Sequence, residues 1–360
     1  MSPPKHPTIP FHSLSPSKGV CILGSSNIDL FLYMKKFPAV GETLNASESN
    51  GRDVTLAEGG KGSNQAIMCA KLTQGELHQI KQAHHQSDNT IEQTTPKRHV
   101  FIGCVGDDAN GQQIIANYQK SGAFIDVPKH CRIIQKTSSG HASIWVQETT
   151  GDNMIVLAMG ANNKVTKQHV QESLREAKDH GCSVFLTQLE IPLDVAVLGL
   201  QEAKKLGMLT IFNPAPGRQD IPQDVWQYVD IVCPNETEAA IITGKSKVEG
   251  VVDAGVCAQW FIKRGVKTVI ITLGSQGCVV CHQRATIRHV KAHNLGKVVD
   301  TTGAGDCFLG SLSYFLSCDV EVMDAVKWSN YIASQSVLRK GCQTSYPTRT
   351  ELIKEQVKEQ

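Results

Sequence analysis

The chain has 360 residues, of which 41% are hydrophobic and 19% are charged, so it can form one large globular domain or two ordinary ones. Its 36 Lys and Arg against 34 Asp and Glu leave a formal charge of +2, which argues against a polybasic surface for nucleic acid or anionic lipid. No long apolar run is present, and residues 1–18 lack the apolar core of a secretory signal. We therefore expect no membrane association and a cytoplasmic location, which leaves the nucleus open, and twelve reduced, buried cysteines.

In chain order, residues 1–18 are rich in Pro, Ser and His and are expected to form a flexible tail. From residue 19 onward, short β-branched runs alternate with helical patterns. Strands are predicted over residues 20–23, 100–105, 184–189, 210–212, 230–233 and 268–273, and helices over residues 194–206 and 253–264. Strands separated by helices predict an α/β fold with a doubly wound, mostly parallel sheet flanked by helices. Ligands of such sheets bind beyond the carboxyl ends of the strands.

Two segments depart from this alternation. Residues 28–57 contain extended runs without a helical period and predict a small β-sheet lid that projects from the main body. Residues 73–98 are polar with only a short helical hint, so we expect a mobile surface insertion. The pattern thus predicts one domain over residues 19–350, followed by a C-terminal tail over residues 351–360.

The strongest single signal is the glycine-rich run of residues 300–306, DTTGAGD, which leads into a helical pattern. The free N–H groups of a helix N-terminus, together with the helix dipole, form a site for negative charge. Small residues at Gly303, Ala304 and Gly305 let a phosphate approach the main chain. Asp306 is then placed to accept the proton of a hydroxyl that attacks the phosphate. On its own, Asp306 could equally be only a helix cap.

A second group of residues predicts a site for vicinal hydroxyls. Asn27 and Asp29 lie two apart after the first strand, so they point to one face of an extended chain. Lys61 and Asn64 share one face at the start of a helix that follows a glycine pair. Glu190 directly follows the strand of residues 184–189. Taken alone, the first pair could close a turn, and Glu190 could be a solvated loop carboxylate.

Two further segments follow strands of the predicted sheet. Asn235 and Glu238 could organise a hydrated magnesium ion, because Mg²⁺ prefers oxygen ligands and keeps most of its waters. Asn235 could equally be the N-cap of the next helix. The loop between Gly274 and Gly277 could pass an adenine nucleotide close to the backbone, or it could be an ordinary hairpin.

In this order, the segments resemble the ribokinase family of sugar kinases from about residue 19 to residue 347. Members carry an N-x-D pair near the start, a glycine pair before a helix, an N-x-x-E segment and a G-A-G-D signature near the end. Residues 59–66 match the form GGKGxNQA, which is specific to the ribokinase branch, and residues 213–216 and 339–343 also look like that branch.

The resemblance implies ATP-dependent phosphorylation of D-ribose at its 5-hydroxyl, with Mg²⁺ required and K⁺ activating. It implies that Asp306 is the general base and that Gly303, Ala304 and Gly305 form the anion hole. The positions that correspond to ribose contacts are Asn27, Asp29, Gly60, Lys61, Gly62, Ser63, Asn64, Glu190 and Asp306. Those that correspond to nucleotide contacts are Asn235, Glu238, Thr272, Leu273, Gly274, Ser275, Gln276, Gly277, Gly305, Asp306 and Asn330. The K⁺ ligands correspond to Asp300, Thr302, Ser336, Arg339, Gly341 and Ser345, several of them through backbone carbonyls.

The resemblance also implies a homodimer joined through the lids, and exposed lid edges favour such pairing. Two other functions stay open. One is a kinase of another small sugar or nucleoside in the same family, and the other is a catalytically silent sugar-binding homologue. Intact Lys61, Glu238, Asp300 and Asp306 argue against the silent homologue, since a protein without activity has no chemical need for them together.

The run of residues 278–282, CVVCH, has the spacing of a haem attachment motif. The same run predicts a strand, whose successive side chains point to opposite faces. We therefore expect no haem at this segment.

Overall fold

The computed structural model describes residues 7–11, 13–14, 18–47, 54–74, 98–150, 152–282 and 287–358. Residues 48–53 of the predicted lid and 75–97 of the predicted insertion lie outside the described residues. In the part of the chain that is described, no helix is long and apolar enough to cross a membrane.

The elements of the described chain have the following bounds. The strands are β1 (Gly19–Leu23), β2 (Asn27–Met34), β3 (Val54–Gly59), β4 (Val100–Gly106), β5 (Cys131–Ile134), β6 (Gly140–Gln147), β7 (Asn153–Ala158), β8 (Cys182–Thr187), β9 (Leu209–Phe212), β10 (Ile231–Val232), β11 (Thr268–Thr272), β12 (Cys278–His282) and β13 (Arg288–Val290). The helices are α1 (Lys61–Thr73), α2 (Ala109–Ser121), α3 (Val127–His130), α4 (Lys167–Asp179), α5 (Leu193–Lys205), α6 (Glu236–Thr243), α7 (Gly250–Ile262), α8 (Ala304–Ser317), α9 (Val322–Ser336) and α10 (Arg349–Lys358).

The main sheet has nine strands within the described residues, in the order β13-β12-β11-β10-β9-β8-β1-β4-β5. Neighbours pair in parallel, except that β12 is antiparallel to both β11 and β13. The chain leaves β1 for β4 on one side and later returns to β8 on the other, so the winding reverses at β1. Open α/β sheets bind ligands at such a reversal. The predicted doubly wound, mostly parallel fold is confirmed.

Alternate side chains of β1 enter two different hydrophobic cores. Val20 and Ile22 pack with residues of α1, α8 and α9, whereas Cys21 and Leu23 pack with residues of α4, α5 and α7. A strand that is covered on both faces must be apolar at every position, and this explains the continuous apolar run of β1. The predicted strands and the two predicted helices are found with ends shifted by one to three residues.

The small sheet has the strand order β3-β2-β6-β7, so the segment predicted as a lid supplies only half of it. The other half comes from β6 and β7, more than a hundred residues after β2 along the chain. Strand β2 pairs in parallel with β6, and this pairing joins the two halves. Periodicity along a local window cannot reveal such a pairing, because the contact lies between distant parts of the sequence.

Both ends of the described chain pack on the main body, which corrects two expectations. Ile9 and Phe11 are each 2% exposed, so the predicted flexible tail of residues 1–18 is wrong for this segment. The buried guanidinium of Arg349 donates to the carbonyl oxygen of Phe11 and, at 2.8 Å, to the hydroxyl of Tyr314. Residues 351–358, expected as a C-terminal tail, continue helix α10, in which Leu352 is fully buried.

We predict that deletion of residues 1–12 lowers the free energy of unfolding by about 3 kcal/mol, since the burial of two large apolar side chains is lost. Deletion of residues 1–6 is the matched control, because it retains Ile9 and Phe11. Urea denaturation of both variants and the full chain measures the difference. Equal denaturation midpoints for the two deletions would show that this segment adds nothing to stability.

Candidate active site

Helix α8 begins with a turn at Gly303, and the residues of this turn line a cavity. Gly303 has a left-handed φ of 74° and caps the helix without any side-chain hydrogen bond. A Cβ at this position would lie 2.2 Å from the Sγ of Cys342, so only glycine fits. The Ala304 N–H donates to the Thr301 carbonyl oxygen at 3.2 Å, so the exposed Gly305 presents the helix N-terminus and its dipole to a negatively charged ligand.

Asp306 lies in the first turn of α8 and is 8% exposed, but it does not cap the helix. Its Oδ2 accepts a hydrogen bond from Asn64 Nδ2 at 3.0 Å, and its Oδ1 accepts one from Gln65 Nε2 at 2.9 Å. The carboxylate is thus held by two amides of α1 rather than by the backbone of its own helix. The Asp306 side chain therefore does not cap the helix, which is the alternative role that the sequence leaves open.

Lys61 opens α1 and lies among carboxylates. Its backbone N–H donates to Glu190 Oε2 at 3.0 Å. Burial lowers the pKa of its ammonium group, but the charges of Asp306, Glu190 and Glu238 outweigh burial and raise that pKa above its usual value. Lys61 therefore stays charged and faces a cavity of about 170 Å³ that Glu238, Gly303, Ala304, Gly305 and Asp306 also line.

Glu190 is fixed rather than solvated in a loop. Its Oε2 also accepts a hydrogen bond from Ser25 Oγ at 2.7 Å, which links the ends of β8 and β1. Asn27 lies beside this link at the start of β2, and its Oδ1 accepts from Asn162 Nδ2 at 2.8 Å. Asn162 is fully buried. Its Oδ1 accepts a hydrogen bond from the Ser26 N–H, and its Nδ2 donates to the Ser26 carbonyl oxygen. No sequence signal pointed to Asn162, whose partners lie 135 residues away or more.

Asp29 is the most perturbed carboxylate of the site. Burial first, and then the charges of Glu190 and Asp306, raise its pKa to about 7. Its Oδ1 is buried without a hydrogen-bond partner among the described residues. A Cβ at Gly59, on the neighbouring strand β3, would lie 1.9 Å from Asp29 Oδ2, so glycine is required there. A carboxylate can accept hydroxyl hydrogens of a ligand, although Oδ1 is shielded from solvent in this structure.

Asn235 and Glu238 form a capping box at the start of α6, which is the alternative role that the sequence left open for Asn235. Asn235 Oδ1 accepts from the Glu238 N–H, and Glu238 Oε2 accepts from the Asn235 N–H, both at 2.8 Å. Glu238 nevertheless lines the cavity with its charge. An anionic group that faces phosphates fits a Mg²⁺ ion held through water, since Mg²⁺ keeps several of its waters.

A larger cavity of about 570 Å³ adjoins the first across the N-terminus of α8. Of the predicted nucleotide contacts, it is lined by Asn235, Thr272, Gly274, Ser275, Gly277, Gly305 and Asn330. Leu273 and Gln276 line neither cavity. Leu273 is buried, and its N–H donates to the carbonyl oxygen of Gly277 at 2.8 Å, which closes the hairpin. Sequence reasoning missed the lining from residues 292–296, Val298, Phe308, Val337 and Leu338. Of these, only Phe308 had a signal, its place on the helix after the glycine-rich turn.

The predicted K⁺ ligands come from two segments, residues 300–302 and 336–345, and Asp300 links them. Its Oδ1 accepts from the Thr302 N–H and its Oδ2 from the Gly341 N–H, both at 2.9 Å. The Arg339 guanidinium is paired with Glu351 at 3.2 Å, which fits a contribution through its carbonyl alone. The hydroxyls of Ser336 and Ser345 donate to backbone carbonyls. Among the residues described, no group of three or more His, Cys, Asp or Glu is placed to hold a metal ion.

Sulfur chemistry plays no part in the site. All twelve cysteines are free, and all but Cys318 are buried. Burial raises the pKa of Cys307, which follows Asp306, to about 12, so it stays a thiol. The residues of the haem-like run form the antiparallel strand β12, as the alternation predicts.

Comparison with known proteins agrees with this geometry. The profile of the pfkB family of carbohydrate kinases matches residues 17–349. A ribokinase of Schizosaccharomyces pombe is 33% identical over 335 residues, covering 92% of this chain and 96% of the relative. The structure of a Giardia lamblia ribokinase has a TM-score of 0.78 and 30% identity over 96% of this chain and 99% of that one. The Arabidopsis thaliana ribokinase complexed with ribose and ATP has a TM-score of 0.76 and 27% identity over 94% of this chain and 97% of that one. The chain belongs to the pfkB family of carbohydrate kinases and is a phosphotransferase with an alcohol group as acceptor.

Proposed function

We propose that this kinase transfers the γ-phosphoryl group of ATP to the 5-hydroxyl of D-ribose. The observation that carries the proposal is the position of Asp306, between the N-terminus of α8 and the sugar-binding candidates Asp29 and Lys61. The names of the relatives, and the complex of one of them with ribose and ATP, support the same two substrates here. A single domain over residues 19–350 carries this activity, with Ile9 and Phe11 docked on it.

In the proposed reaction, Asp306 accepts the proton of the 5-hydroxyl, and the oxygen attacks the γ-phosphorus in line. The amides of Gly303, Ala304 and Gly305 receive the charge that develops on the transferring group. The ammonium of Lys61, which its carboxylate neighbours keep protonated, adds positive charge at the same place. Asp306 borders the cavity directly, so the hydroxyl proton can pass to its carboxylate without a relay through other groups.

The sugar is proposed to bind against Asn27, Asp29, Gly60, Lys61, Gly62, Ser63, Asn64 and Glu190. The side-chain oxygen of Asn27 already accepts a hydrogen bond from Asn162, so the side-chain NH₂ group of Asn27 remains to donate to a hydroxyl of the sugar. Asp29 supplies an acceptor oxygen. The lid strands β2 and β6 close this side of the site and exclude water, which would otherwise compete as nucleophile.

Two cations fit the residues around the phosphates. Mg²⁺ would be held through water by Glu238 and Asn235, and it supplies neutralisation of phosphate charge. K⁺ would be held near the anion hole by oxygens of Asp300, Thr302, Ser336, Arg339, Gly341 and Ser345. The two hydrogen bonds of Asp300 keep the segments of residues 300–302 and 341 together whether or not the cation is bound.

We further propose a homodimer joined through the lids. The small sheet exposes several large apolar side chains on its edge strands β3 and β7, namely Val54, Leu56, Met154, Ile155, Val156 and Leu157. A second copy of the sheet would cover this surface and the open strand edges. A cytoplasmic location agrees with the free thiols, which persist in a reducing compartment.

The substrate assignment predicts rapid ADP release from ATP and Mg²⁺ with D-ribose, and slower release with 2-deoxyribose, fructose or adenosine. The cation assignment predicts several-fold slower turnover when K⁺ is replaced by Na⁺, because the smaller ion fits the carbonyl ligands poorly. A coupled ADP assay measures both. Faster turnover of another acceptor would replace ribose as the substrate, and ribose binding without turnover would indicate a silent homologue.

The base assignment predicts that Asp306→Asn lowers kcat about 10³-fold while ribose and ATP still bind, since the amide cannot accept the hydroxyl proton. Steady-state kinetics and calorimetric binding check the two parts. Asp224→Asn, the same change at an exposed carboxylate, is the matched control. A kcat near that of the parent enzyme would remove Asp306 from this role.

The raised pKa of Asp29 predicts that the free energy of unfolding of the unliganded protein depends on pH. Between pH 4 and about 7 the native state holds a proton that the unfolded chain releases, so stability falls as pH rises through this range. Asp29→Asn removes this loss, and we expect the variant to gain about 2 kcal/mol over the parent at pH 8 but little at pH 4. Urea denaturation without ligand measures the gain. A pH-independent difference between the two proteins would contradict the assignment.

A further inference from the structure

The carboxylate of Asp306 is held by two chains of amide side chains. We infer that Gln188 and Gln343, the outer glutamines of these chains, are positioning residues that aim the carboxylate. This inference rests on the proposed role of Asp306 as the base. Neither glutamine lines the two cavities, so each must act through its neighbour.

The first chain runs from β8 to Asp306 through Gln65. The Nε2 of Gln188 donates to the Oε1 of Gln65. The Nε2 of Gln65 donates to Asp306 Oδ1 at 2.9 Å and to Asn213 Oδ1 at 3.2 Å. Gln65 and Gln188 are fully buried. Both N–H groups and the oxygen of Gln65 are thus occupied, and its orientation has no freedom left.

The second chain reaches the other carboxylate oxygen through Asn64. The Nε2 of Gln343 donates to Asn64 Oδ1 at 3.0 Å and to Ser63 Oγ at 3.1 Å. Asn64 Nδ2 in turn donates to Asp306 Oδ2 at 3.0 Å. Gln343 is itself held, since its Oε1 accepts from Asn117 Nδ2 at 3.1 Å and its backbone oxygen accepts from Lys71 Nζ at 2.8 Å.

The outer glutamines decide which end of each inner amide faces the base. The two ends of an amide have nearly the same shape, so only hydrogen bonds distinguish them. If Gln65 or Asn64 reversed, its carbonyl oxygen would face the Asp306 carboxylate and repel it. In a buried site such repulsion is strong, because little solvent screens it. One donor on each oxygen also fixes the plane of the carboxylate, and misplacement of a reacting group by about 1 Å can cost 10²-fold in rate.

The test replaces each outer glutamine by methionine, which has a similar length but no amide. For Gln188→Met we expect kcat to fall about tenfold, with KM for ribose and ATP changed by less than about twofold, because Gln65 contacts the base. For Gln343→Met we expect both kcat and KM for ribose to change, because Asn64 is also a proposed sugar contact.

A double-mutant cycle separates positioning from a general loss of stability. If Gln188 acts only through Gln65, Gln188→Met has no further effect on kcat in a Gln65→Met background. Val170→Ala, a buried change in the core on the other face of the sheet from α8, is the control for destabilisation and should leave kcat unchanged. Gln343→Met tests the second chain by the same cycle with Asn64→Leu, in case Gln188→Met does not fold.

The outcomes distinguish this inference from the proposed function. Unchanged kcat in both glutamine variants, or additive effects within the cycles, would overturn the positioning role while leaving Asp306 as the base. Normal turnover of Asp306→Asn would overturn the base assignment and the inference together. A tenfold loss that disappears in the Gln65→Met background supports positioning.

Discussion

The balance of charge around one buried ammonium group is the constraint on which the site depends. Lys61 lies among Asp306, Glu190 and Glu238, and Asp29 lies close enough to two of these carboxylates that their charges raise its pKa. Asp306 and Glu238 are buried, Asp29 and Glu190 are half-buried, and a cation in their midst offsets the repulsion among their charges. The same helix N-terminus that delivers Lys61 also binds Glu190 with its backbone. The charges of the protein itself thus set the electric field of the site.

The reversal of the sheet at β1 explains how these groups meet. The ends of β1 and β8 are adjacent, so Ser25 and Glu190 are within hydrogen-bond distance although they are 165 residues apart. The helices α1 and α8 pack on the same face and bring Asn64 and Gln65 to Asp306. The position of the lid also depends on the main sheet, because β2 begins directly after the turn that follows β1. Each functional group therefore depends on the sheet for its position.

Stability and function make opposite demands at this site. Asp29 keeps an oxygen without a partner and has a raised pKa, which costs the unliganded fold stability at neutral pH. The surrounding amides show the opposite arrangement, since Gln65 satisfies all of its hydrogen-bonding groups. Asp29, a proposed ligand contact, has an oxygen without a partner, whereas Gln65, a proposed positioning group, is fully paired.

The sequence by itself was sufficient for the fold class, the family and the segment that carries the candidate base. Alternation of strands and helices is a local pattern, so a short stretch of sequence is enough to detect it. The run DTTGAGD and residues 59–66 are contiguous, so they can be recognised in the same way. Tertiary structure decided the rest. Asn162, Gln188 and Gln343 act across 123 residues or more, half of the lid comes from β6 and β7, and Phe11 packs against a residue 338 positions away. Such contacts are set by which strands become neighbours and which helices cover them, and no local periodicity of the chain encodes that choice.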